Sequence, residues 1–193
     1  MNFVECGKLL SAGIDSMVIV SPEKTPLALA AGTVLGMACA YSKDGDTFYA
    51  TGDRVNALAS YWYGFGWLHF GCAYGFLAMS RTDMNCCPFQ GPCDRLPATF
   101  TLKLTEKTTR YARLLDTART SIVPAPDPAT SAHDFCCRVL VIVGCYASQG
   151  IYYQKAGYFE DALSCFSYGH GWLDAAVRSG LFRITRERAL FTV

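Results

Sequence analysis

The chain has 193 residues, 51% of them apolar and 13% aromatic, which excludes a disordered protein and supplies ample material for a core. Its 17 basic and 16 acidic side chains give a formal net charge of +1 without a basic cluster, so no nucleic-acid partner is implied. The opening residues lack the basic segment, apolar run and cleavage site of a secretory signal, so the ten cysteines are expected as reduced thiols in the cytoplasm.

The first predicted helix covers residues 3–20, with Leu9, Leu10, Ile14 and Met17 at helical spacing. Ser21-Pro22-Glu23 then restarts a helix, because a polar cap followed by proline suits a first turn. A second helix is expected over residues 26–51 and a third over residues 53–79, with Gly52 punctuating the turn between them. Residues 81–103 hold Pro88, Pro92 and Pro97 with Cys86, Cys87 and Cys93, and read as a linker. Residues 99–105 alternate weakly and read as extended. In the next helix Tyr111, Leu114, Leu115, Ala118 and Ile122 oppose Arg110, Arg113, Asp116 and Arg119. Asp127-Pro128 restarts a fifth helix over residues 132–156, and after Gly157 a sixth runs over residues 158–180.

These six helices are one unit written twice. Residues 41–77 match residues 146–182 at a constant offset of 105 without a gap. Tyr63-Gly64-Phe65-Gly66-Trp67-Leu68 returns as Tyr168-Gly169-His170-Gly171-Trp172-Leu173. The expected fold is all-α: two tandem three-helix repeats, each a helical hairpin with a preceding helix, packed as a pseudo-twofold bundle. Repeat 1 is assigned to residues 1–80, the linker to 81–103 and repeat 2 to 104–193. Residues 55–80 contain no Asp, Glu, Lys or Arg, enough to span a bilayer. Their equivalents carry Glu160, Asp161, Asp174 and Arg178, and two copies of one fold should share one solvent. No membrane is expected.

The third helix of each repeat carries the sharpest contrast. Glu160, Ser164, Ser167, Gly171, Asp174 and Arg178 form one polar stripe, read as facing water. Repeat 1 places Val55, Ala59, Trp62, Gly66, His69 and Ala73 at the same positions. An apolar stripe of that kind should be covered by the other half, the linker, a second chain or a ligand. The other half is the simplest cover. A homodimer contact or a protein partner on Val55, Trp62 and His69 is the alternative.

Residues 168–180 read YGHGWLDAAVRSG and follow Gly157-Tyr158-Phe159-Glu160-Asp161-Ala162. With Thr105-Glu106-Lys107, Tyr111 and Leu114-Leu115, they resemble the archaeal helical family known as domain of unknown function 357. The resemblance covers residues 104–183 and reaches residues 1–80 through the internal repeat. It implies a small helical bundle and no known activity. Repeat 1 departs from the pattern, with Asn56 for Asp161, His69 for Asp174 and Ala73 for Arg178. A family site built on those charges would survive only in repeat 2, the copy closer to the pattern.

Several constellations could carry chemistry. Asp174 and Arg178 stand four apart, the spacing of a surface ion pair with a contribution of about 0.3–0.5 kcal/mol. The functional alternative is a polar site in which Asp161, Asp174, Arg178, Tyr168 and His170 gather beside Trp172. Of the three histidines, His69 reads as a packed core residue, and none has a metal-ligand neighbour at usual spacing. No arginine lies four to six residues before a histidine, which argues against helical ribonucleases of the nucleotide-binding kind. Cys86, Cys87 and Cys93 are a candidate metal or redox cluster, though three thiols without an evident fourth ligand are more simply free. Cys136 and Cys137 open a helix whose N-terminus could lower a thiol pKa, with burial the simpler account. Gly64-X-Gly66 lies within a helix and is no phosphate loop, and no Ser-His-acid order or cofactor motif is present. The sequence therefore supports a non-enzymatic interaction or scaffold protein. The alternative is a small-molecule or metal-binding protein using the polar face of repeat 2 or the cysteine cluster.

Overall fold

The computed structural model describes residues 3–80 and 94–192. Repeat 1 comprises α1 (Phe3–Asp15), β1 (Met17–Ile19), α2 (Pro26–Ala50), α3 (Arg54–Tyr74) and β2 (Leu77–Met79). A 3-10 turn (Ala98–Phe100) leads into repeat 2: α4 (Thr101–Arg119), β3 (Ile122–Pro124), α5 (Ser131–Lys155), α6 (Phe159–Arg178) and β4 (Phe182–Ile184). A second 3-10 turn (Arg188–Leu190) closes the described chain. Strands and long hairpin helices begin at positions 105 apart, so the duplication reaches well before residue 41.

Local chemistry sets these boundaries. Thr25 caps α2 by accepting the Ala28 N–H, with Pro26 in the first turn, and Thr130 caps α5 by accepting the His133 N–H. Gly52 and Gly157 adopt φ of +82° and +81° in the hairpin turns, a conformation open to glycine at little cost. The first predicted helix is too long. It stops at Asp15, and Met17, Val18 and Ile19 pair antiparallel with Met79, Ala78 and Leu77. The third helix is likewise shorter, because Gly75 turns left-handed (φ +83°) and sends residues 77–79 into that ribbon. An equivalent ribbon joins β3 to β4, tying the first and third helices of repeat 2. Residues 101–105 are helical rather than extended. Their alternation is accidental, since Leu104 is buried while Leu102 is 88% exposed.

The core is built around α3 and α6, which cross antiparallel. A Cβ built on Gly66 would stand 2.5 Å from the Tyr168 carbonyl oxygen and 2.9 Å from Gly171 Cα, and one on Gly171 would collide with the Tyr63 carbonyl. These mutual collisions mark the pseudo-twofold axis. Trp67, Phe65, Phe70 and Phe166 are fully buried beside it, each side chain contributing about 1.5–3 kcal/mol by leaving water. The charge-free stretch of repeat 1 is therefore core. Among the described residues the one helix long and apolar enough to cross a membrane is α5, with 33% of its most apolar window buried.

Candidate functional site

The two stripes of the third helices face each other. Val55, Ala59 and Trp62 are at most 3% exposed, and so are Ser164, Ser167 and Asp174 opposite. The expectation that the stripe of repeat 2 faces water is overturned, and the stripe of repeat 1 is covered by α6 of the same chain. Most of the polar groups are satisfied within the protein, the buried Ser167 hydroxyl being the exception. Ser164 donates to the Glu160 carbonyl one turn back, and Glu160 accepts from Arg95 (2.7 Å) and the Leu96 N–H (2.8 Å).

Two tyrosines at equivalent positions reach across the axis. The Tyr63 hydroxyl donates to Asp174 Oδ2 at 2.8 Å, while the Tyr168 hydroxyl and His69 Nδ1 are 2.9 Å apart. Asp174 is completely buried and also accepts from the Thr192 N–H (3.0 Å) and the Thr192 hydroxyl. Arg178 is exposed, so the anticipated surface pair gives way to a buried carboxylate spanning both repeats and the C-terminal segment.

Beside Tyr63 lies a cavity of about 210 Å³, lined by Tyr41 of α2, Ala59, Ser60 and Tyr63 of α3, Tyr111 and Leu114 of α4, and His170 of α6. The Tyr41 and Tyr63 rings are 4.4 Å apart, and those of Tyr63 and His170 are 5.6 Å apart. Burial, then the charge of Asp174, pushes the Tyr41 hydroxyl up to about 12 and Tyr63 well above the usual phenol range. Both stay neutral. Burial also holds His170 below the ordinary histidine value, against the opposing pull of Asp174 and a hydrogen bond to the Leu190 backbone. Its Nε2 is buried and has no hydrogen-bond partner.

At the twofold-related place the tyrosines persist as Tyr146 and Tyr168, but Cys6 replaces Tyr111, Cys165 replaces Ser60 and Phe65 replaces His170. Only one of the two equivalent places has the third tyrosine, Tyr111, and the His170 imidazole. The comparison at offset 105 could have singled out Tyr111 and His170 from sequence; it gave no sign that Thr192 completes Asp174.

A sequence model of the family described as "Protein of unknown function (DUF357)" matches residues 7–77 and again residues 110–182. The chain belongs to that family. No curated protein matches it, and no solved structure does. The DUF357 match reaches repeat 1 directly, beyond what the internal repeat alone carried.

Of the remaining candidates of this DUF357 chain, Trp62, His69 and Trp172 gather around Tyr168, while Asp161 stands apart from them. Asp161 sits at the start of α6, 3.7 Å from Arg95, about 20 Å along the helix from Asp174. Trp172 packs edge-on against Phe70, and Tyr168 meets Trp62 the same way. Cys136 is buried with its thiol on the Leu181 carbonyl, and burial pushes its pKa up rather than down. Cys86, Cys87 and Cys93 lie outside the described residues. Among those described, no three His, Cys, Asp or Glu side chains gather as a metal site.

Proposed function

We propose that this DUF357 protein is a non-enzymatic cytoplasmic module that binds a small ligand in the cavity between its repeats. The observation carrying this reading is a pocket lined by three tyrosines, Ser60 and His170 from both repeats, at a place whose twofold equivalent has Cys6, Cys165 and Phe65. At about 210 Å³ the space exceeds what single waters need and falls below drug-sized pockets, which fits a compact ligand. Native mass spectrometry of the purified protein should detect a retained small molecule. Ser60→Trp, which fills the cavity, should lose that mass while keeping the helical circular-dichroism signal. Retention of the same mass by the variant would overturn the reading.

A protein partner is the second reading, moved from α3 to the outer face of α5. Val141 is 65% and Tyr152 63% exposed there, with the exposed Cys145 between them and no charge from residue 139 to 154. Val141→Glu should abolish any self-association measured by light scattering without lowering the melting temperature.

A further inference from the structure

Beyond β4 the chain returns to α6. Residues 185–189 are exposed, and Glu187 is held at φ +54°, a left-handed conformation that side chains rarely adopt. The 3-10 turn Arg188–Leu190 closes on itself, the Leu190 and Phe191 N–H groups donating to the Glu187 and Arg188 carbonyls. What fastens this turn to the body lies at its end. Phe191 is buried, Thr192 donates its N–H and hydroxyl to Asp174, and the Leu190 backbone is hydrogen-bonded to His170. Asp174 is wholly buried, and the three groups donating to it among the described residues, the Tyr63 hydroxyl and the Thr192 N–H and hydroxyl, are all neutral. A carboxylate served only by neutral donors forfeits much of its hydration, which an outward move of Thr192 restores. Strain at Glu187 and the desolvated charge favour opening, while burial of Phe191 and the bonds at Asp174 favour closure.

The pocket and this segment share two residues. Tyr63 and His170 both line the pocket, and the one reaches Thr192 through Asp174 while the other bonds Leu190 directly. Repeat 1 has Phe65 and His69 where His170 and Asp174 stand, so it lacks both fastenings. We infer that residues 186–192 form a latch behind the pocket, whose closure fixes the Tyr63 and His170 side chains in the wall and whose opening frees them and wets Asp174. The inference rests on the ligand-binding reading for what the latch regulates and adds how that site is controlled. Linkage is reciprocal, so a change in the wall is felt at the latch. Loss of the Tyr63 hydroxyl leaves Asp174 short of a donor only while the latch is shut, because water supplies one once it opens, and the open state gains.

Amide exchange followed by NMR on the full chain tests this without any ligand. In Tyr63→Phe, which keeps the ring in the wall, the Leu190, Phe191 and Thr192 amides should exchange together about tenfold faster, the effect of one hydrogen bond to a charged group. The ribbon amides of Ala125 and Thr185, bonded to the Leu181 and Ser121 carbonyls, should keep their parent rates. Ser60→Ala, a change in the same wall that leaves the Tyr63 hydroxyl in place, should alter neither set. Thr192→Val, at an exposed position that does not threaten the fold, should accelerate Leu190 and Phe191 from the latch side. Unchanged latch amides in either variant would overturn the inference. So would equal acceleration of the ribbon, which marks a loss of global stability, or acceleration of Thr192 alone, which marks a single fraying residue. Each of these failures leaves the ligand-binding reading standing, since the Ser60→Trp comparison decides that separately.

Discussion

Asp174 illustrates how far spacing alone can mislead about a single residue. Four residues from Arg178, it reads as half of a surface pair, yet its carboxylate is sealed in the interface and bonded to Tyr63 and Thr192. Asp174→Ala strands both partners, so urea denaturation should show a loss of about 2–3 kcal/mol instead of the few tenths an exposed pair would contribute. His170 makes stability depend on pH. Its folded pKa lies below the ordinary 6.5, so as pH falls through 6.5 the unfolded chain takes up a proton that the native state refuses. Stability contributed by the neutral ring is thus complete above about 6.5 and declines below it, until the depressed native value is reached. Melting temperatures between pH 7 and 5 should fall less steeply in His170→Phe than in the parent. A parallel decline in both would remove His170 as the source.

Among the elements, α3 and α6 depend on close backbone approach where they cross. Gly66→Ala places a methyl against the Tyr168 carbonyl and Gly171, where neither backbone can yield cheaply, and should destabilise by about 3 kcal/mol. Gly144 in α5 has open space around its Cα, so Gly144→Ala should stabilise by about 0.5–1 kcal/mol through helix propensity alone. Chemical denaturation of the two variants should move the midpoint in opposite directions. The helical periodicity of α6 was legible, since its six stripe residues do share one face. What that face meets was not. A row of Glu, Ser, Ser and Asp reads the same whether it meets water or another helix, and here Arg95 and Leu96 satisfy Glu160 while Tyr63 and Thr192 satisfy Asp174 from distant parts of the chain.

On the scale of the whole molecule, the two repeats share a single core. A fragment of residues 1–80 would bare Trp62 and Val55, which are buried in the intact chain. It should be largely unfolded or pair with itself, giving twice its mass by light scattering, whereas the full chain should unfold in one transition by circular dichroism and tryptophan fluorescence alike. A soluble monomeric fragment with a sharp melting transition would show that the halves are independent. The cavity also belongs to this scale, because Tyr41 and Tyr63 come from repeat 1 while Tyr111 and His170 come from repeat 2.

The amino-acid order by itself determined the duplication, the six helices, the hairpin turns at Gly52 and Gly157, and the helix faces that carry each stripe. All of these follow from local signals: periodicity, caps, and glycines in left-handed turns. Tertiary structure alone decided that the polar stripe lies against its apolar twin, that Asp174 serves Tyr63 and Thr192, and that the tyrosines of both copies line one half-open pocket. Such pairings join residues as many as 111 positions apart, and only burial of the shared core brings them within hydrogen-bonding distance.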